Sequence, residues 1–235
     1  QTQSPLAIAS NVGALLYPIT KAEYQAGSVP TPAQLFSHSD QSVVWQQTRA
    51  DAPDRRGWGG RLADMFYASN TNQQLSMNIS IDGENVFQAG DEVIPYFVGQ
   101  GGAEGIWYVE PWQADRRAAF IALRDAAHGN ALQRQFASVV RRSMNNQVMV
   151  NGALEGETPL TTTFPDTHLG RQLQMVARLI HVRNTLQMQR QIFFVGLGGF
   201  DTHDNQLADQ AEQLTELDGA LAAFYAATLE MGVAN

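Results

Sequence analysis

The chain of 235 residues is 44% hydrophobic and 16% charged, with 15 basic against 23 acidic side chains and a net charge of −8. That length fits one large or two small domains and is enough to bury a sizeable core; the pattern of elements along the chain is that of a single α/β domain. No basic run of five or more occurs, which argues against nucleic acid as a partner. No apolar run approaches the ~18–20 residues of a membrane-spanning helix, and the absence of cysteine excludes disulfides, thiolate metal sites and cysteine nucleophiles.

In chain order, "PLAIASNVGALL" (5–16) reads as a short buried strand running into a glycine turn, too short for a helix before Pro18. After a proline-containing connection, "SHSDQSVVWQQT" (37–48) reads as a helix. Ser37 or Ser39 is placed to cap the exposed N–H groups of its first turn. "APDRRGWGGR" is a glycine-rich loop and "LADMFYAS" a short helix. From 75 to 109 the texture becomes β-rich: Leu75, Met77, Ile79 and Ile81 alternate with polar residues, "DGEN" supplies a turn, and an antiparallel hairpin region is expected.

Residues 112–150 return to helical periodicity, broken at Gly129, with Leu132, Phe136, Val139 and Val140 on one apolar face. Asp166 is placed to cap a helix burying Leu169, Leu173, Val176, Ala177 and Ile180. "QIFFVGL" is a strand, and a long helix from about Asn205 to Met231 is expected to bury Leu207, Ala211, Leu214, Leu221 and Tyr225 and to stop at Gly232. A strand hydrophobic on both faces between two helices is the pattern of a covered parallel sheet. The fold class is therefore α/β: a mostly parallel central sheet covered by helices on both faces, with the hairpin region at about 75–109.

Three stretches carry candidate chemistry. In "GGFDTHDNQ", residues i and i+2 of an extended backbone project to one side, so Asp201 and His203 can aim at one point. Carboxylate plus imidazole suits zinc, manganese or iron, and the motif falls at the carboxyl end of a strand, where open α/β sheets gather ligands. Alternatively Asp201 or Asp204 caps the following helix. In "SHSDQ", a serine at a helix N-terminus sits in a field that favours developing negative charge, with His38 beside it as ligand or general base; plain capping is the alternative. "DRRGWGGR" offers Arg55, Arg56 and Arg61 as an anion clamp or a solvated turn. His128, His168 and His181 read as structural.

The motifs "LAIASNVGALLYPITKAEY", "LFSHSDQSVVWQQ", "GWGGRLAD", "LGRQLQMVARLI" and "IFFVGLGGFDTHDNQ…LDGALAAFY", in that order, resemble the bacterial domain-of-unknown-function 1501 family over nearly the whole chain. That family is grouped with the alkaline phosphatase-like superfamily. The resemblance implies a metal-dependent hydrolase scaffold, a serine or threonine nucleophile at a helix N-terminus, and one or two divalent metals held by Asp and His at strand ends. Mapped onto this chain, Asp201 and His203 take the Asp-x-His metal position, Ser39 (or Ser37) is the candidate nucleophile, and His38 stands beside it.

A small anionic ester is the implied substrate, with no nucleic acid and no membrane span. Family members commonly carry a twin-arginine export signal, which implies a periplasmic or otherwise exported protein. The family's Gly-Gly-Asn-Asp-type strand end and its downstream Asp-His segment are both missing, so the expectation is a central portion incomplete at both ends. Two functions follow from the resemblance: an exported metal-dependent phosphatase- or sulfatase-like hydrolase, or a non-catalytic exported structural or assembly protein on the same scaffold.

Overall fold

A computed structural model describes residues 15–51 and 55–234. The expected strand at 5–16 lies outside them except for its last two residues, which form no strand. Seven α-helices and three strands follow: α1 (Lys21–Ala26), α2 (His38–Gln47), α3 (Trp58–Phe66), β1 (Asn78–Ser80), β2 (Tyr96–Phe97), α4 (Ala114–Asp125), α5 (Ala131–Glu155), α6 (His168–His181), β3 (Ile192–Phe194) and α7 (Gln206–Glu230). The described strands form one parallel sheet in the order β2-β1-β3. Ile79 registers with Tyr96 on one side and with Phe193 on the other.

Helix starts follow local chemistry. Thr20 and Glu23 close a reciprocal capping box on α1, and Asn130 and Thr167 cap α5 and α6 through their side chains. Thr167, not Asp166, is therefore the cap of α6; the Asp166 carboxylate instead accepts from Arg171. The glycine-rich loop is shorter than expected, because Trp58, Gly59 and Gly60 are already helical. There the glycines permit close approach. Gly57 N–H donates to the Ala89 carbonyl and Gly60 N–H to that of Phe87, each at 2.9 Å, and a Cβ at Gly57 or Gly60 would collide with backbone of residues 86–90.

The segment 75–109 departs from expectation. Leu75, Met77, Ile79 and Ile81 are all buried, as the alternation requires, but the pairing is parallel and β1 and β2 form no hairpin. Alternation reports a buried face and is silent on strand direction. The "DGEN" turn leads into a loop that folds back over the other face of β1 with polar side chains. Asn78 donates to the Gln88 carbonyl, Ser80 to that of Gly83, and the buried Gln88 amide donates to the carbonyls of both Ile79 and Ile192. The chain then crosses over before adding β2 beside β1.

The main core joins the β1 residues to Val150, Ala153 and Leu154 of α5 and to Met175, Val176 and Leu179 of α6. A second cluster, centred on Leu169, Leu173 and Ala220, seats α7 on α6. Two helical faces were expected wrongly. On α5 the inward face is Ala137, Met144, Val150, Ala153 and Leu154, whereas Leu132, Phe136 and Val139 are exposed. On α7, Leu221 packs inward as expected, with Leu217 and Phe224 beside the buried Ala220, whereas Leu207, Ala211, Leu214 and Tyr225 are exposed. The small, fully buried side chain of Ala220 lets α7 approach Leu169 and Leu173 of α6 closely, and this selects the face.

Candidate functional site at the carboxyl edge of the sheet

Every strand of a parallel sheet delivers its next segment to the same edge. Beyond β3 the chain leaves through Gly196, Gly198 and Gly199 to Asp201 and His203. α7 begins at Gln206 behind Asn205 with no side-chain cap, so neither Asp201 nor Asp204 serves as the expected cap. Asp201 Oδ2 lies 3.2 Å from His203 Nε2 and 3.6 Å from His38 Nδ1. The two motifs, distant in sequence, thus meet at one place.

At α2, Ser37 is the cap: its Oγ accepts from the Asp40 N–H and donates to the Asp40 carboxylate. Ser39 occupies the second helical position, its Oγ 3.3 Å from that of Ser37. With Ser37 engaged twice by Asp40, Ser39 holds the less committed hydroxyl. His38, Asp201 and His203 are largely solvent-facing, with side chains 80, 65 and 84% exposed.

Two imidazoles and a carboxylate match zinc, manganese or iron by donor type. Their nitrogens turn toward Asp201 itself, and among the described residues no group of three or more His, Asp or Glu side chains is arranged to hold a metal ion. By donor type alone these side chains suit a divalent metal, for which Asp201 and His203 would be the holders after rotation of exposed side chains.

A second cluster at this edge was missed by sequence reasoning. Asp82, just past β1, lies 3.6 Å (Oδ1) from His168 Nε2 and accepts from the Gln172 amide at 3.3 Å. His168 Nδ1 meets the Gln100 amide at 3.1 Å, and Gln100 Oε1 accepts from Arg171. His168, expected to be structural, thus faces a carboxylate at a strand end. The available signal was an aspartate directly after an alternating strand, masked by the turn grammar of "DGEN". The arginines of the glycine-rich loop do not form a free clamp: Arg56 pairs with Asp91 at 2.6 Å, and Arg61 donates to the carbonyls of Arg56 and Gln47.

The fold is α/β, with a small parallel sheet and histidine and carboxylate side chains at its carboxyl edge. The family model described as "Protein of unknown function (DUF1501)" matches residues 4–233, and the chain belongs to that family. No curated protein and no solved structure matches the chain. Among the described residues no helix is long and apolar enough to cross a membrane.

Proposed function

We propose that the chain is an exported, metal-dependent hydrolase-like protein of alkaline phosphatase-like architecture, acting on phosphate or sulfate esters. The observation that carries this reading is the approach of His38 to Asp201 across the sheet edge at 3.6 Å. It brings a helix-terminal serine, an imidazole and a candidate ligand pair into one neighbourhood. Export rests on the family resemblance.

In this reading Ser39 Oγ attacks the phosphorus or sulfur of the ester in the N-terminal field of α2, the bond to the ester alcohol breaks and that alcohol leaves with a proton, and water then releases phosphate or sulfate from Ser39. His38 takes the hydroxyl proton, and Asp201 orients that imidazole. A divalent ion held by Asp201 and His203 would polarise the ester oxygen. The second reading, a non-catalytic exported structural or assembly protein, is favoured by the exposure of these side chains, since a hydrolytic site gains from excluding water.

The test is calorimetric titration of the protein with zinc and manganese, followed by a panel of aryl phosphates and aryl sulfates. The hydrolase reading expects saturable metal uptake, lost when Asp201 and His203 are both replaced by alanine, and turnover that depends on it. Unchanged metal stoichiometry in the double variant rejects the ligand role. Absence of both uptake and turnover favours the second reading.

A further inference from the structure

We infer that the cleft between residues 104–112 and helices α4 and α5 is a carbohydrate site, taking one or two pyranose rings of a neutral glycan. It has a volume of about 330 Å³ and includes Trp107, Trp112, Glu104, Glu110, Arg117 and Gln147 in its walls. That volume is at the low end of small-molecule sites, roughly 300–1,000 Å³, and limits the occupant to a short saccharide segment.

Two successive turns build the cleft. The Val109 N–H donates to the Ile106 carbonyl at 3.1 Å, and the Gln113 N–H to the Glu110 carbonyl at 3.0 Å. Trp107 is a central residue of the first turn, followed by Tyr108 at φ 65°, the positive value that a type II turn demands at its third residue. Pro111 and Trp112 are the central residues of the second. Each turn therefore presents a tryptophan at its corner, and the two indoles are 74 and 79% exposed. Indole planes set in water at a concave site are platforms without a partner. Beneath them Val109 and Met144 are buried, so the floor is apolar.

The polar rim selects the ligand. Arg117 donates to the Val109 carbonyl at 2.9 Å, which fixes its guanidinium at the cleft with further N–H groups to give. Glu110 has a buried oxygen, Oε2, without a hydrogen-bond partner, and rotation of the carboxylate exchanges its two oxygens. Donors and acceptors thus stand together beside aromatic faces. A polyol satisfies both kinds at once and lays its C–H face on indole. A quaternary ammonium would use the rings and carboxylates but meet the arginine. A phosphate or sulfate ester would meet Glu104 and Glu110. An acyl chain would use none of the polar rim.

The test uses the whole chain labelled with 5-fluorotryptophan, whose four indoles give separate fluorine resonances assigned by single Trp→Phe variants. Cellohexaose, chitohexaose and maltohexaose are titrated in turn, with tetramethylammonium chloride and phenyl phosphate as comparison ligands. The Trp107 and Trp112 signals should shift saturably with at least one glycan, with Kd of about 1 mM, while those of Trp45 and Trp58 stay. Trp112→Ala should weaken that binding at least about fivefold. Should this variant fail to fold, the shift of two signals out of four in the unmodified chain decides alone. Failure of every glycan to move these signals overturns the proposal, as does a uniform response of all four. Stronger binding by either comparison ligand overturns it, and so does a dilution-sensitive broadening that marks self-association through the two indoles.

Discussion

Gln172 pairs with the backbone just past β3 as a neighbouring strand would: its Oε1 accepts from the Gly196 N–H at 2.9 Å, and its Nε2 donates to the Gly196 carbonyl at 3.1 Å. One helical side chain thereby satisfies both backbone groups of a residue leaving the sheet, and the same amide reaches Asp82. Gln172 is fully buried. Gln172→Leu keeps the volume and removes both partners, so it should cost about 2–3 kcal/mol. Urea unfolding of the variant measures this; a loss within error of zero would show that water replaces the amide freely.

Gly196 and Gly198 separate two roles that the sequence "VGLGG" presents alike. A Cβ at 196 would run into the Asp82 carboxylate, whereas one at 198 meets nothing within 4 Å. Gly196→Ala should destabilise by about 1 kcal/mol as the Asp82 side chain turns aside and loosens its bond with Gln172, and Gly198→Ala by less than about 0.5 kcal/mol. Equal midpoints for the two variants in chemical denaturation would contradict the crowding at 196.

The two serines of "SHSD" should also part. Ser37→Ala removes the cap of α2 and should cost about 1 kcal/mol, while Ser39→Ala should leave stability nearly unchanged. In any ester hydrolysis the order reverses: Ser39→Ala abolishes turnover and Ser37→Ala reduces it only through stability. Activity surviving Ser39→Ala but not Ser37→Ala would move the nucleophile to the capping residue.

Glu230 carries a pH signature that one substitution can isolate. Its carboxylate accepts from the backbone N–H and hydroxyl of Thr161 and of Thr162. The Thr161 backbone bond leads the causes that lower its pKa to about 2. A lowered folded-state value stabilises above the unfolded pKa of about 4.3 and loses that contribution as pH falls toward the folded value. The melting-temperature gap between wild type and Glu230→Gln should therefore be constant above about pH 5 and close as pH approaches about 2. A gap independent of pH would mean that the bonds do not depend on the charge.

What the sequence disclosed was local grammar. Ser37 and Asp40 announce a helix start whatever surrounds them. A hydrophobic run ending in glycines marks a strand with its carboxyl end open, which is enough to place Asp201 and His203 at the sheet edge. Strand direction was hidden, because the alternation of Leu75 to Ile81 describes one buried face equally well in either orientation; with it went Asp82 and its contact with His168. The burial of α7 was hidden for a different reason. Leucines at 207, 214, 217, 221 and 229 lie on several sides of the helix, and the close fit of Ala220 against Leu169 and Leu173 of α6 chooses among them.

The Gln88 amide, holding the Ile79 carbonyl at 3.1 Å and the Ile192 carbonyl at 3.0 Å, acts as a rivet through two neighbouring strands. Because it belongs to the loop that follows Asp82, that loop cannot slide along β1 without pulling on β3. The strand ends that carry Asp82 and the segment leading to Asp201 are thus tied three times over, by this amide, by the ladder between β1 and β3, and by Gln172 between Asp82 and Gly196.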